Sequence, residues 1–192
     1  MAEPRPADAA EAGLRIARAL DDAALDYALG GALALGAHGV PRGTLDVDVN
    51  VFTPDEALPA VIGALTSVGI SIDEAAATGR ARNEGMFIGD WAGMRIDVFV
   101  PSIPFSAEAG RTRVRLVDPE GVGVWFLSAE ALAVFKLLFF RPKDLADLER
   151  LVAVRGAAFD RGYVRRWIVE MMGEDDPRVV AWDELGRRFG GG

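Results

Sequence analysis

A strand that carries aspartate at two alternate positions, shortly after a double glycine, constrains this chain more than any other feature. Within residues 27–52 an apolar segment runs into Gly30-Gly31, then a run of small residues, then Asp46-Val47-Asp48-Val49-Asn50-Val51. Strand residues two apart share a face. Asp46 and Asp48 therefore project side by side, and Val47, Val49 and Val51 fill the opposite, core-facing side. Two carboxylates this close raise each other's pKa, and the usual solutions are a shared proton or a divalent cation. Upstream, Gly30-Gly31 offers bare backbone N–H groups at the start of a predicted helix, where phosphate groups bind. Taken alone, an Asp-x-Asp pair fits a solvated edge strand better, since charge there discourages aggregation.

A third carboxylate changes the balance. Asp97 lies between Ile96 and Val98 in an otherwise largely apolar run. If that strand lies beside residues 45–52, all three aspartates share one sheet face. Such a set can hold two magnesium ions, with substrate phosphates and water completing the coordination.

Apolar spacing predicts an opening helix over residues 8–25, with Asp8 as N-cap and Glu11 reaching back to it. A short strand over 26–29, a small-residue helix over 32–37 and the aspartate strand over 45–52 follow. A helix over 54–68 is expected to open at Thr53 and Pro54. Residues 70–72 read as a strand, and 82–89 and 94–100 as a hairpin about Asp90–Gly93. Alternation over 111–117 predicts a strand with Arg111, Arg113 and Arg115 on one face, either a solvated edge or a basic strip for an anionic co-substrate such as an RNA end. Residues 124–127 read as a strand, and Ser128 caps a helix through residue 140. Further helices start at Arg141-Pro142, Asp160 and Asp176-Pro177, and residues 190–192 should fray. The expected fold class is α+β: a short mixed sheet flanked by helices, with a C-terminal helical bundle. The expected division is a core over residues 1–127 and a helical lobe over 128–192, with a cleft between them.

Composition closes off several functions. The chain has 192 residues, no cysteine and one histidine, His38, so thiol catalysis, zinc–thiolate and multi-histidine metal sites are excluded. A packing or capping role is expected for His38, and core or hairpin packing for Trp91 and Trp125. The net charge of −8 argues against a broad nucleic-acid footprint, leaving room for a local basic patch. The polar, proline-bearing start is unlike a signal peptide, and the most apolar run contains Ser128, Glu130 and Lys136. A cytoplasmic protein without membrane attachment is expected.

Lys136 sits in a helix that is apolar nearly all round, so it must pair with an anion. A triphosphate in a cleft is one partner; the alternative is that Lys136 snorkels to solvent or pairs with Asp144 or Asp147. These two aspartates lie three apart on one helical face. A surface pair with Lys143 explains them simply, and orienting an acceptor or acting as general base is the functional alternative.

The ordered set Gly30-Gly31, Arg42-x-Thr44-x-Asp46-x-Asp48 and a later Asp97 resembles the polymerase-β-type nucleotidyltransferase superfamily. With Lys136-x-x-x-x-Arg141-x-Lys143-Asp144-x-x-Asp147, it is most similar to the AbiEii/AbiGii-type branch of toxin-like and minimal nucleotidyltransferases, over roughly residues 27–151. One position departs: the superfamily often has serine where this chain has Gly31. The resemblance implies magnesium-dependent transfer of a nucleoside monophosphate from an NTP to an acceptor. Asp46, Asp48 and Asp97 would bind two Mg2+ ions. Gly30, Gly31, Arg42, Thr44, Lys136, Arg141 and Asp144 would contact the nucleotide, with Lys136 neutralising the departing pyrophosphate. It further implies tRNA or a protein as acceptor and an antitoxin protein as partner. Two alternatives stay open: a small-molecule enzyme of the aminoglycoside-modifying kind, and a non-catalytic member of the fold that binds a nucleotide or a protein.

Overall fold

Asp8 begins the first helix: its carboxylate accepts the backbone N–H of Glu11 at 2.9 Å, and α1 (Ala9–Asp22) buries Ile16 and Leu20 completely. The chain is seen here in a computed structural model that describes residue 6, residues 8–117 and residues 121–189; the glycines at 190–192 lie outside the described residues. Strand β1 (Tyr27–Leu29) leads through Gly30 into α2 (Gly31–Ala37), and β2 (Asp46–Val51) returns antiparallel beside β1. The valines of β2 lie fully in the core against α1, whereas Asp46 and Asp48 face the other side.

The helix expected from Pro54 starts later. Residues Asp55–Ala57 form a 3-10 turn, and α3 spans Leu58–Ser67 with Pro59 in its first turn. A proline ring clashes with the carbonyl four residues back, so an α-helix cannot run unbroken from Pro54 through Pro59, and Thr53 is not its cap. Residues 70–72 form only an isolated bridge, Ser71 with Asp90. A helix the sequence pattern does not announce, α4 (Glu74–Glu84), occupies the start of the expected strand over 82–89. The hairpin itself is present as β3 (Met86–Trp91) and β4 (Met94–Phe99), turning at Ala92-Gly93.

The run over 111–117 divides. Helix α5 (Phe105–Arg111) packs Phe105 and Ala109 into the core, and only Val114–Val117 forms a strand, β5, beside β6 (Gly123–Phe126). The three arginines therefore share no strand face. Arg111 ends α5 and holds Glu108 at 2.7 Å. Arg113 turns inward to Asp26 at 2.6 Å and stacks on Trp125, and Arg115 lies over the same indole.

Among the described residues the sheet has six strands in the order β3-β4-β2-β1-β6-β5, with β2/β4 and β1/β6 parallel. Ser128 caps α6 (Ala129–Phe139), which is followed by α7 (Pro142–Arg155), α8 (Arg161–Met172) and α9 (Pro177–Phe189). These helices share an apolar core with α2 and α5, built on Leu132, Leu137, Leu148, Leu151, Ile168 and Trp182. His38 caps α2, its Nε2 2.7 Å from the Leu127 carbonyl, which ties α2 to the chain entering α6. None of the described helices is long and apolar enough to cross a membrane. The mixed sheet with its flanking and C-terminal helices is the α+β architecture expected from the sequence.

Candidate functional site

The parallel pairing of β2 with β4 sets Asp48 directly against Asp97 and Asp46 against Arg95. Because Asp46, Asp48 and Asn50 alternate along β2, and Arg95, Asp97 and Phe99 along β4, one patch of sheet carries three carboxylates and a guanidinium. All six line one cleft of about 150 Å³, whose opposite wall comes from α6 and the start of α7. Leu132, Phe135, Lys136, Phe139, Arg141, Lys143 and Asp144 line that wall, with Arg42 at its rim. The structure thus brings together Gly31, Arg42, Asp46, Asp48, Asp97, Lys136, Arg141 and Asp144, from segments more than a hundred residues apart.

Asp48 is the most perturbed of these groups. Burial pushes its pKa from 3.8 up to about 6, the charges of Asp46 and Asp97 add to the rise, and Lys136 and Lys143 partly offset it. Gly31 explains where that carboxylate sits. It has φ +50°, and a Cβ placed on it would fall 1.7 Å from Asp48 Oδ2. The glycine turn and the aspartate occupy each other's margin, so a serine at 31 does not fit this arrangement. Gly30 is tied in too: its N–H donates to the Asp48 carbonyl at 2.8 Å, extending the β1/β2 pairing into the turn. That donor is therefore not available to a phosphate.

The other two carboxylates have partners. Thr44 Oγ1 donates to Asp46 Oδ1 in a short hydrogen bond, and Arg95 Nε and Nη2 both lie 2.8 Å from Asp97 Oδ1. Among the described residues no three His, Asp or Glu side chains converge as a ready-made metal cage. The donor set nevertheless suits a hard divalent cation. Three carboxylates crowd one face, and the pKa of Asp48 is raised by burial first and then by the charges of Asp46 and Asp97, a burden that a cation would relieve.

Lys136 is 4% exposed and lies 2.7 Å from Asp147 Oδ2 and 3.3 Å from Asp144 Oδ1. Both aspartates are buried, so the expected surface pair with Lys143 is not what forms; the helix turns them inward because Lys136 is there. Asp144 also accepts from Arg141 Nε at 2.6 Å and from the Arg141 backbone N–H at 3.3 Å, which closes the first turn of α7. Burial would raise the Asp144 pKa, but the Arg141 bonds and the Lys136 charge hold it below the ordinary value. Arg42 Nε reaches Asp147 Oδ1 at 3.4 Å. Three cations thus surround two carboxylates. Arg141, half exposed and stacked on the Phe139 ring at 4.7 Å, presents its charge at the cleft mouth, as does the exposed Lys143.

Three cleft residues escape a reading of the sequence for chemistry. Asn50 continues the Asp46–Asp48 alternation, a signal that was available. Arg95 alternates with buried Ile96 and Met94 and so looks like an ordinary solvated strand position. Phe99 reads as core, yet it lines both this cleft and an adjoining apolar pocket of about 220 Å³ formed with Met86, Phe135, Leu138 and Phe139.

The mixed sheet with its flanking and C-terminal helices has the fold of solved nucleotidyltransferase structures. The chain is similar to the solution structure of the antibiotic-resistance factor ANT(2'')-Ia, with TM-score 0.56 and 17% identity over 94% of this chain and 99% of that one. A crystal structure of ANT(2'')-Ia in complex with adenylyl-2''-tobramycin gives TM-score 0.52 at 17% identity, over 91% and 95%. An antigenic nucleotidyltransferase-like protein from Paracoccidioides brasiliensis gives TM-score 0.50 at 16% identity, over 92% and 94%. No protein-family model and no curated protein matches the sequence. At these identities the likeness is one of fold.

Proposed function

We propose that the protein is a magnesium-dependent nucleotidyltransferase that moves a nucleoside monophosphate from an NTP to an anionic acceptor. The observation that carries this reading is the register of β2 and β4, which sets Asp46, Asp48 and Asp97 on one wall of a cleft whose other wall is cationic. In the reaction an acceptor oxygen attacks the α-phosphorus, the bond from that phosphorus to the β-phosphate bridging oxygen breaks, and pyrophosphate leaves. Two bound Mg2+ ions would supply Lewis-acid stabilisation of the attacking and leaving oxygens. Asp46, Asp48 and Asp97 are the residues that would hold them, and Asp97 would also take the acceptor's proton.

The phosphates have cationic partners across the cleft in Arg42, Arg141 and Lys143. Lys136 stands behind them, its charge already offset by Asp144 and Asp147, so it contributes to pyrophosphate release as part of this cluster. With Gly30 N–H engaged, the backbone donors at the glycine turn are those from Gly31 onward, and Thr44 steadies Asp46. The apolar pocket under Phe99 and Phe139 offers flat surfaces for the planar part of a substrate.

With bound metal offsetting Asp46, Asp48 and Asp97, the Arg42, Arg95, Arg141 and Lys143 that line the same cleft would suit an anionic acceptor such as a tRNA end better than a polycation. The aminoglycoside reading keeps one supporting observation, the full-length fold likeness to ANT(2'')-Ia. The AbiEii/AbiGii-type motif order supports a toxin-like setting with an antitoxin partner. Incubation with Mg2+, α-labelled NTPs and total tRNA, a panel of aminoglycosides, or the protein alone decides among acceptors. Label is expected on tRNA. Label on an aminoglycoside would overturn the acceptor assignment, and NTP binding without consumption would favour the non-catalytic alternative.

A further inference from the structure

Arg95 is the one cation in the carboxylate patch itself. It sits on β4 opposite Asp46, two residues before Asp97 on the same face, so its guanidinium lies among the groups proposed to hold metal. Both Nε and Nη2 reach the same oxygen, Asp97 Oδ1, at 2.8 Å. The Arg95 side chain is 55% exposed, whereas that of Asp97 is only 13% exposed. Such a half-solvated pair adds little to stability, so holding the sheet together does not account for an arginine at this position. A fixed positive charge among metal carboxylates should also weaken cation binding. What the arginine does accomplish is to pair the charge of Asp97.

We propose that Arg95 is an internal counter-ion that keeps Asp97 Oδ1 from the metal site until a divalent cation displaces the guanidinium. The inference rests on the metal site of the proposed function. Asp46 and Asp48 lie two apart on one strand face, and among the described residues no guanidinium bonds to either, so they can engage a cation first. Arg95 occupies Asp97 Oδ1, so that oxygen joins only when its bond to Arg95 opens. The exposed guanidinium has solvent on one side and the cleft on the other, so it can swing clear with no rearrangement of the buried strand. Thr44, bonded to Asp46, is a neutral and weaker counterpart of the same restraint. Arg95 is in this account a positioning residue, acting through Asp97.

The test is Mn2+ titration by calorimetry without nucleotide, on the wild-type protein and on R95Q, D97A, R95Q/D97A and K143Q, each checked for folding by thermal melt. R95Q should bind Mn2+ about fivefold more tightly than the wild type, the effect of one partly exposed ion pair. In the D97A background the same R95Q change should have no such effect, a coupling that a double-mutant cycle isolates. K143Q removes a charge that faces the same carboxylates without bonding to one, and it should change affinity less than R95Q does. An R95Q gain that persists in D97A, or that K143Q matches, would mean simple charge repulsion and would overturn the proposal. Equal binding by R95Q and the wild type would overturn it as well, leaving the metal site intact. Failure of every variant and of the wild type to bind Mn2+ would refute the metal site and the counter-ion role together.

Discussion

Replacing Asp48 by asparagine should make the metal-free protein more stable above pH 6. The carboxylate's pKa stands at about 6 in the fold against 3.8 for an unperturbed group, through burial and then the charges of Asp46 and Asp97. Each pKa unit is worth about 1.4 kcal/mol. The rise therefore corresponds to about 3 kcal/mol for a fully shielded group, and about 2 kcal/mol for one with the partial exposure of Asp48. The sign follows from proton counting. Between about pH 4 and pH 6 the native state holds a proton on Asp48 that the unfolded chain has released, so wild-type stability falls as pH rises through that window. Asp48→Asn lacks this step. The shift in Asp144 runs in the opposite direction, but it is present in both proteins and cancels in the comparison. For a chain of this length, about 2 kcal/mol is about 4–8 °C in Tm. Thermal and urea melts in chelator from pH 4 to 8 should show the two proteins converging at pH 4 and the variant ahead at pH 7.5. Added Mg2+ should then stabilise the wild type more than the variant. A variant less stable than the wild type at pH 7.5 in chelator, or two parallel curves from pH 4 to 6, would refute the reasoning.

Gly31→Ala should destabilise the protein by about 1–3 kcal/mol, because a side chain at φ +50° is strained and its Cβ must push Asp48 aside; an unchanged urea midpoint would contradict this. Lys136→Met should cost about 3–5 kcal/mol, since it leaves Asp144 and Asp147 buried without their shared ammonium. Arg141→Gln, which removes a half-exposed partner of Asp144, should cost about 1 kcal/mol or less in the same denaturation assay. Equal losses for the two would mean that the buried pairing is not centred on Lys136.

The site was legible where a residue type conflicts with its surroundings. Asp97 in an apolar strand and Lys136 in an apolar helix each needed a partner, and the fold supplies one to both. What the sequence could not show was which partner. Lys136 faces Asp144 and Asp147 because α7 folds back on α6 at Phe140-Arg141-Pro142, a tertiary event. Arg95 was illegible for a related reason: an arginine alternating with core residues is what any half-exposed strand displays. Helix α4 was missed because its Ala-rich face buries only Ala77 and Ala81, too little apolar periodicity to register. Helix α5 was missed because it is short, and the charge alternation of β5 extends backward into its last residue, Arg111. The late start of α3 was readable in principle, since Pro59 belongs in a first turn.

The central claim is that the carboxylate patch on β2 and β4 performs metal-dependent nucleotidyl transfer. Pyrophosphate release from NTP with Mg2+ and total tRNA, compared between the wild type and Asp46→Asn, tests it most directly. Release by the wild type should fall at least about a hundredfold in the variant and vanish in chelator. Release that survives Asp46→Asn at the wild-type rate, or that proceeds without a divalent cation, would contradict it.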